Sequence, residues 1–362
     1  MRVAYLAHLS LSPESGVSKK IFSQIDLWAE VVEAKLFIIS GRKEVCDYVE
    51  HKGGKCALYK GPLWSPGSLF VLESLIEEIA RWSPTAVYLR RSLFYPGYLK
   101  LARMFPLIQE VNSDELEELR LRRRVWYFYQ LLMRRWLDGL TDGWVFVTRE
   151  LMYRPYYSGV PGMKIAIGNG ISFDRLPHLP PRQSGGPPRL VFIGEPAPWH
   201  GVDKVLRLAE TFKAWEFHLI GYQASDFERL PDNVKTYGFL PFSEYISILA
   251  DADVGIGTLA LHRKRMSEAS PLKVREYLAL GLPAIIAYED TDFPEGAPFL
   301  LRLPNEERNV ECCLRDIERF VMSWVGKRVT REAIAHLDLR RKEQARLDFI
   351  GKVAKRKGVS FK

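Results

Sequence analysis

The stretch Glu268-Ala-Ser-Pro-Leu-Lys-Val-Arg-Glu-Tyr-Leu-Ala-Leu-Gly-Leu-Pro283 carries the strongest structural signal in this 362-residue sequence. Ser270 followed by Pro271 predicts a helix N-terminus, because serine is a frequent N-cap and proline is favoured at the first helical position. Gly281 predicts the end of the same helix. The first glutamate of the stretch is therefore expected just ahead of the helix, and Glu276 two turns into it.

The start of this helix has the chemistry of a sugar-diphosphate site. A helix N-terminus directs unpaired N–H groups and a partial positive charge toward an anion, and Lys273 adds a full charge in the first turn. Glu268 and Glu276 can each accept paired hydrogen bonds from vicinal hydroxyls of a sugar or a ribose. A salt bridge on a solvated helix face is the alternative role for Glu276.

Strand-like apolar runs alternate with helical patterns along the rest of the chain. Alternation of this kind predicts βαβ units and parallel sheets. Helices are expected at 17–30 and 69–82. The predicted strands are 3–7, 36–39, 86–89, 145–148 and 164–167, followed by 190–193, 217–220, 234–237, 254–257 and 284–287.

A proline- and glycine-rich segment, residues 176–189, separates the two series of strands and predicts a linker. We therefore expect an N-terminal Rossmann-like domain over 1–175 and a C-terminal one over 190–325. A basic segment, 326–362, should follow, helical over about 328–355. Two α/β domains joined in this way would place a ligand cleft between them.

The spacing Glu268-x7-Glu276, followed by Tyr-Leu-Ala-Leu-Gly-Leu-Pro, resembles the E-x7-E signature of the retaining glycosyltransferases of family 4, which have the GT-B fold. The segments that agree with this family in order and spacing are 169–175, 192–203, 238–245 and 250–254. The resemblance covers nearly the whole C-terminal domain and covers the N-terminal domain thinly. It implies an α/β protein of two Rossmann-like parallel-sheet domains facing a central cleft, with the last helix crossing back to the N-terminal domain.

The resemblance also implies a function in glycan biosynthesis. The protein would be a hexosyltransferase that moves a sugar from a nucleotide-sugar donor, a UDP- or GDP-sugar, to an acceptor hydroxyl with retention of configuration. The acceptor would be a glycan, a lipid-linked molecule or a small molecule, and no cofactor is expected. The alternatives are a non-catalytic sugar-nucleotide-binding or scaffold protein of the same fold and, from the basic tail, a nucleic-acid-binding protein, although no nucleic-acid partner is expected.

Residue roles follow from the same resemblance. Glu276 would bind the nucleotide ribose and Glu268 the hydroxyls of the transferred sugar, while the amides of Leu272 and Lys273 face the diphosphate. Lys273 is the expected main cation and, with Glu268, a catalytic residue. The other expected substrate-binding residues are Ser270, Gly221 and Tyr222, Phe239 and Leu240 beside the base, His200, Asn112 and Gly16.

This chain departs from the family pattern in both domains. Members commonly carry Gly-Arg and Lys-Gly in the first βα turn of the C-terminal domain, where this chain has Gly194-Glu195 and His200-Gly201. The usual cationic pair is therefore missing. Three cations other than Lys273 are alternatives for the diphosphate: Lys204, Arg263 and Lys264.

In the N-terminal domain, Glu110 or Asn112 occupies the place of a histidine that many members carry near the reacting sugar. Gly16 lies in the loop that approaches the donor in this fold class, and a simple tight turn is its alternative role. Two Asp-x-Asp triplets, 251–253 and 290–292, match a metal-binding pattern of another glycosyltransferase fold. The first precedes a predicted strand and the second lies in a predicted loop, so no metal site is expected.

Cysteine content and charge suggest where the protein works. Four cysteines without CxxC spacing predict neither a zinc site nor a disulfide framework, and favour a reducing, cytoplasmic compartment. No apolar run approaches the roughly 18 to 20 residues of a spanning helix. Residues 327–362 carry twelve Lys and Arg against four Asp and Glu, a surplus equal to the net charge of +8.

A solvated helical face is the commoner explanation of such a tail, and an anionic membrane surface with the protein peripheral on it, or nucleic acid, is the alternative. A second segment, Arg120 to Trp136, is rich in arginine and aromatic residues and predicts a helix. That helix would be compatible with a membrane interface or with internal packing. Its apolar stripe comprises Leu121, Val125, Phe128, Leu132 and Trp136.

Overall fold

The computed structural model describes residues 1–61, 66–183 and 185–359. The chain divides into two compact units: unit 1 comprises Met1–Gly168 and Arg340–Lys362, and unit 2 comprises Asn169–Leu339. Ser184 of the predicted linker and residues 360–362 of the predicted basic segment lie outside the described residues.

The strands and helices alternate along the chain as its apolar pattern predicts. The strands are β1 Arg2–His8, β2 Glu33–Ser40, β3 Lys55–Leu58, β4 Ala86–Arg90, β5 Leu107–Val111, β6 Gly143–Phe146, β7 Met163–Ala166, β8 Arg189–Ile193, β9 Glu216–Ile220, β10 Val234–Thr236, β11 Val254–Ile256, β12 Glu268–Ala269, β13 Ala284–Ile286, β14 Glu289–Asp290 and β15 Leu300–Arg302. The helices are α1 Gly16–Ala29, α2 Lys43–His51, α3 Pro66–Trp82, α4 Tyr98–Met104, α5 Glu115–Arg122, α6 Arg124–Asp138, α7 Arg149–Met152, α8 Pro155–Ser158, α9 Val202–Thr211, α10 Phe242–Ala250, α11 Leu272–Ala279, α12 Leu314–Trp324 and α13 Leu339–Arg356. No helix within the described ranges has the length and apolar character needed to cross a membrane.

Unit 1 contains a seven-stranded parallel sheet in the order β3-β2-β1-β4-β5-β6-β7. Alternate residues of β1 enter different apolar clusters: Val3 and Tyr5 pack on one face, and Ala4 and Leu6 on the other. The sequence pattern did not predict β5, because Gln109 and Glu110 interrupt its apolar run although both are buried.

Helix α13 belongs to unit 1, where Phe349, Ile350 and Val353 pack in the same cluster as Val3 and Tyr5. It begins at Leu339 and not near residue 328 as predicted.

Residues 326–338 lie in unit 2 instead. There the Arg328 guanidinium donates to the backbone oxygens of Pro180, Ala250 and Ala252, which leaves this stretch outside the helix.

Part of the positive charge of the C-terminal segment is neutralised inside unit 1. Arg340 pairs with Glu30 at 2.6 Å, and Lys357 pairs with Asp142 at 2.8 Å. Arg346 is buried and pairs with Glu343 on the same helix. These three cations therefore have carboxylate partners within unit 1.

Unit 2 contains a six-stranded parallel sheet in the order β10-β9-β8-β11-β13-β15 and a two-stranded ribbon of β12 and β14. Residues 176–183 and 185–188 form neither helix nor strand, yet they pack on unit 2. The Leu179 amide donates to the Leu280 carbonyl, and Arg182 pairs with Asp253 at 2.8 Å.

Cys46 on α2 and Cys56 on β3 form a disulfide, with their Cα atoms 5.0 Å apart. The sequence expectation of no disulfide is wrong at this pair. A positive φ of 75° at Gly53 turns the chain after α2 and brings β3 back beside the helix. The turn places the two thiols within bonding distance, although their spacing in the sequence matches no cysteine motif.

Candidate functional site

The site lies in unit 2, where α11 begins beside the carboxyl ends of the central strands. Ligands of open α/β sheets bind at this edge, at the point where the strand order reverses. Here the order reverses between β8 and β11. Tyr277 anchors α11 at this point, because its hydroxyl accepts from the Ile193 amide at 2.8 Å and its ring fills the space beside Gly255.

The N-terminus of α11 differs from the sequence prediction. Pro271 is the N-cap residue and no side chain caps the helix, so the expectation that Ser270 is the N-cap is wrong. The Ser270 hydroxyl is buried and accepts instead from the Asn169 amide and from Arg275 Nη2, both at 2.8 Å. The first turn, with Leu272 and Lys273, consequently has no side-chain acceptor for its N–H groups.

Arg275 holds the start of α11 through a buried ion-pair cluster. Its side chain is fully buried, and Nη2 lies 2.7 Å from Asp290 Oδ1 and 2.8 Å from Asp292 Oδ2. Nε donates to the Asn169 carbonyl at 3.1 Å. The triplet 290–292 thus binds an arginine of the chain itself, which explains its carboxylates without a metal ion.

The same cluster fixes the position of Glu268. This residue is half-buried on β12, which pairs in parallel with β14 so that Glu268 lies opposite Glu289 and Ala269 opposite Asp290. Because Arg275 binds Asp290, the β12–β14 ribbon is tied to α11. Glu276 lies one turn after Lys273 on this helix and is also half-buried.

Lys273 provides the most distinctive electrostatic feature of the site. Its Nζ is shielded from solvent, lies 4.1 Å from the centroid of the Phe192 ring and has no hydrogen-bond partner in the described part of the chain. Burial lowers the pKa of Lys273 to about 7, and the nearby Glu195 carboxylate opposes this shift only in part. A buried ammonium without a hydrogen-bond acceptor is well suited to an incoming anion.

The first βα turn of unit 2 lies against this ammonium. A Cβ at Gly194 would lie 3.2 Å from Lys273 Nζ and 3.1 Å from His200 Nδ1, so the backbone approaches both side chains closely. His200 Nδ1 lies 2.8 Å from the Glu195 carbonyl and must carry a proton, because a carbonyl only accepts. Neutral His200 would then leave Nε2 as an acceptor, which cannot donate to a phosphate.

The loops predicted to hold the base follow β9 and β10. Gly221 has a φ of 93°, and a Cβ there would lie 1.8 Å from the Gly194 oxygen, so only glycine fits this approach. Tyr222 is buried, and its hydroxyl donates to the Glu195 carbonyl at 2.7 Å. Phe239 is 64% exposed and Leu240 is half-buried, which leaves an aromatic face accessible at this edge.

The three alternative cations already have partners within unit 2. Arg263 pairs with Asp203 at 2.7 Å and also with Glu307. Lys204 is fully buried and donates to the Glu306 carbonyl at 3.3 Å. The ammonium of Lys264 is 5.0 Å from the ring centroid of Trp199. Of the cations proposed from the sequence, Lys273 is the one whose terminal nitrogen lacks a hydrogen-bond acceptor.

The remaining Asp-x-Asp triplet, 251–253, is also explained by internal contacts. Asp253 is fully buried and accepts from Arg182 and from the Arg189 amide. Asp251 lies 3.5 Å from Arg189. Within residues 1–61, 66–183 and 185–359, no group of three or more His, Cys, Asp or Glu side chains could hold a metal ion.

The candidates in unit 1 occupy a charged cluster at the carboxyl edge of its sheet. Asn112 Oδ1 accepts from Lys20 Nζ at 2.5 Å, and Glu110 pairs with Lys20 at 3.1 Å. Burial would raise the pKa of Glu110, but Lys20, Arg90 and Arg346 hold it well below its ordinary value. Glu110 is therefore a buried counter-ion and is poorly suited to proton transfer at neutral pH.

Gly16 is the first residue of α1, whose N-terminus is capped by Ser15 through its hydroxyl and the Ser18 amide at 3.2 Å. It therefore begins a helix and does not form a simple tight turn.

The sequence reasoning missed Arg275 as a site residue. A signal was present, because Arg275 precedes the buried Leu278 by one helical turn and so shares its apolar face. A charge at a buried position requires a partner, and the two aspartates 15 and 17 residues further on supply it. The Asp-x-Asp pattern of residues 290–292 is typical of metal binding and does not by itself indicate an arginine partner.

No family model matches the chain, and no curated protein matches it. Solved glycosyltransferase structures match it over nearly their whole length. A glycosyltransferase from Rickettsia africae has a TM-score of 0.67 at 12% identity, covering 98% of this chain and 99% of the other. The apo form of the lipopolysaccharide outer core galactosyltransferase WaaB has a TM-score of 0.67 at 14% identity, covering 97% and 99%.

A third structure is Anabaena Alr3699/HepE in complex with UDP and glucose. Its TM-score is 0.67 at 10% identity, and the match covers 97% of this chain and 100% of the other. Together with the two parallel sheets of seven and six strands, these similarities show that the chain has the GT-B fold.

Proposed function

We propose that the protein is a hexosyltransferase that moves a sugar from a UDP- or GDP-sugar to an acceptor hydroxyl, with retention of configuration and in the manner of family 4. The observation that carries the proposal is the buried Nζ of Lys273, which has no hydrogen-bond partner in the described part of the chain. This group lies in the first turn of α11, where the uncapped N–H groups and the helix dipole also favour an anion.

The proposed donor pose follows from the groups around Lys273. The diphosphate would lie between the first turn of α11 and the backbone at Gly194, with Glu276 accepting from the ribose hydroxyls. Glu268, fixed by the ribbon, would accept from the hydroxyls of the transferred sugar. The exposed Phe239 ring offers a stacking surface for the base.

In the proposed reaction, the bond between the sugar C1 and the phosphate oxygen breaks as the acceptor oxygen bonds to C1 on the same face. The acceptor proton passes to the leaving phosphate oxygen. Lys273 and the helix N-terminus would stabilise the negative charge that develops on the diphosphate, so the protein contributes positioning and electrostatics.

The proposal extends to the acceptor and to the location of the protein. The acceptor would carry a hydroxyl on a glycan, a lipid-linked carrier or a small molecule. The protein would work in the cytoplasm, a proposal that no longer rests on its cysteines because Cys46 and Cys56 form a disulfide, and an anionic membrane surface would be a partner.

A non-catalytic sugar-nucleotide-binding or scaffold protein is the second candidate. It is favoured by one specific observation, namely that Glu195 and His200 stand where relatives commonly carry a cationic pair. Such a protein would bind the nucleotide sugar without turnover.

The test is a thermal-shift screen of UDP- and GDP-sugars followed by a release assay. A ligand at about 100 times its dissociation constant adds roughly 2.7 kcal/mol to the free energy of unfolding. We expect one nucleotide sugar to stabilise the protein and to release its nucleoside diphosphate when acceptors are supplied. Binding without release across an acceptor panel would favour the non-catalytic candidate, and no binding would contradict both.

A further inference from the structure

We propose that the outward face of α6 is a docking surface for anionic lipid bilayers. This apolar face comprises Val125, Phe128, Leu132 and Trp136, which are 78%, 66%, 67% and 65% exposed. Residues three and four apart lie on one side of a helix, so these side chains form a continuous row. The inference identifies a surface for the membrane partner in the proposed function, but its test does not depend on sugar transfer.

The opposite side of α6 is fixed to unit 1. Gln130, Arg134, Leu137 and Asp138 are buried there. Arg134 pairs with Asp138 at 2.9 Å, and Asp138 pairs with Arg91 at 2.7 Å. The helix is therefore held with its apolar row outward, and the alternative of an internal packing stripe is wrong.

The side chain of Gln130 also holds the buried side of α6 against unit 1. Its Oε1 accepts from the Phe94 amide at 2.8 Å, and its Nε2 donates to the Ser92 carbonyl at 3.2 Å. Turning the apolar row inward would break these buried contacts, at the cost of unsatisfied polar groups.

The charge around the row selects an anionic partner. Residues 119–137 contain six arginines and no acidic residue. Arg123, Arg124 and Arg135 are exposed and pair with no carboxylate in the described part of the chain. Apolar and aromatic side chains bordered by cations are typical of helices that bury one face in the headgroup region of a bilayer.

Other partners fit this surface less well. A second copy of the chain, docked face to face, would bring two sets of unpaired arginines together, and like charges across an interface are unfavourable. Nucleic acid would match the arginines but offers phosphates, not hydrocarbon, to Val125 and Leu132. A bilayer containing anionic lipid supplies both an apolar interior and a negative surface.

The test is vesicle co-sedimentation of the full chain, using phosphatidylcholine vesicles with and without 30% phosphatidylglycerol. We expect binding that increases with anionic lipid. Phe128→Ser with Leu132→Ser should lower the partition coefficient by at least about tenfold, because the apolar row is lost. Arg123→Gln with Arg124→Gln and Arg135→Gln should abolish the preference for anionic lipid. Met104→Ser, at another exposed apolar residue of unit 1, is the matched control and should bind like wild type.

Two further measurements keep the outcomes distinct. Brominated lipids should quench wild-type tryptophan fluorescence, and Trp136→Phe should remove most of that quenching if Trp136 enters the bilayer. Sedimentation velocity reports self-association. The proposal is overturned if wild type does not bind vesicles, if the serine variant binds like wild type, or if wild type is a dimer that the serine variant dissociates. Nucleotide binding unaffected by these variants would leave the proposed function standing in each case.

Discussion

The ammonium of Lys273 lies 4.1 Å from the centroid of the Phe192 ring, at the end of the first strand of unit 2. The ring provides a weak electrostatic partner but accepts no conventional hydrogen bond. Burial lowers the pKa of Lys273 to about 7. Near neutral pH, the protein thus holds a lysine that an arriving diphosphate would convert fully to its charged form.

Replacing Lys273 with methionine should impair turnover more than donor binding. The side chain keeps its approximate volume but loses the charge that would meet the growing negative charge on the leaving diphosphate. We expect turnover to fall by about 2 to 3 kcal/mol in barrier height, or roughly 30- to 150-fold.

His200→Ala is the matched comparison for this lysine and should do much less at pH 8, because Nδ1 already donates to the Glu195 carbonyl. Steady-state release of the nucleoside diphosphate measures both variants. An inactive His200→Ala together with normal turnover by Lys273→Met would show that the diphosphate binds at His200 and not at Lys273.

Glu276→Ala should weaken nucleotide binding. If the carboxylate accepts from ribose hydroxyls, its loss should cost about 1.5 to 3 kcal/mol, the range for hydrogen bonds to charged groups. Calorimetric titration with UDP and GDP measures this effect. Glu244→Ala, an exposed carboxylate on α10, is the control. Equal affinity of the Glu276 variant and wild type for the preferred nucleotide would remove Glu276 from the site.

Glu268→Gln should separate the sugar from the nucleotide. Because its proposed partner is the transferred sugar, the substitution should depress transfer far more than it depresses binding of the free nucleoside diphosphate. Glu289→Gln is the control, since Glu289 lies opposite Glu268 in the ribbon and is exposed. Parallel losses in the two assays would contradict a role at the sugar.

Arg275→Met should destabilise unit 2. It leaves the carboxylates of Asp290 and Asp292 without their buried cation, and breaking a buried pair from one side costs about 3 to 5 kcal/mol. Urea denaturation measures the free energy of unfolding. Adding Asp290→Asn and Asp292→Asn should recover part of the loss, because the unpaired charges are then gone. A change below about 1 kcal/mol for Arg275→Met would show that the cluster contributes little.

The sequence predicted the elements of the fold better than the contacts within the site. Alternation of apolar runs correctly predicted β1, β4, β8 and β9, because each is a buried parallel strand with few polar residues. The strand β5 was missed because Gln109 and Glu110 are buried as partners of charged side chains. A polar side chain is expected to be exposed only when no other side chain of the protein pairs with it.

One site prediction failed and another was left open for a related reason. Ser270 has the local signature of an N-cap, but its hydroxyl is bound by Arg275 and the Asn169 amide, and the second of these lies 101 residues away. Along α6, the periodicity correctly placed Val125 and Trp136 on one face, yet it could not say whether that face was buried. Helical spacing defines a face, and only tertiary contacts decide what covers it.

The most direct test of the central claim is the number of protons taken up when the nucleoside diphosphate binds. Above pH 7, Lys273 in the free protein is mostly neutral, so binding at pH 8 must recruit a proton, and affinity should fall as the pH rises from 6 to 9. Calorimetric titrations in two buffers of different ionisation enthalpy measure this uptake. The account predicts about one proton per nucleotide for wild type at pH 8 and almost none for Lys273→Met. Tight binding by wild type with no uptake, or the same uptake in both proteins, would contradict it.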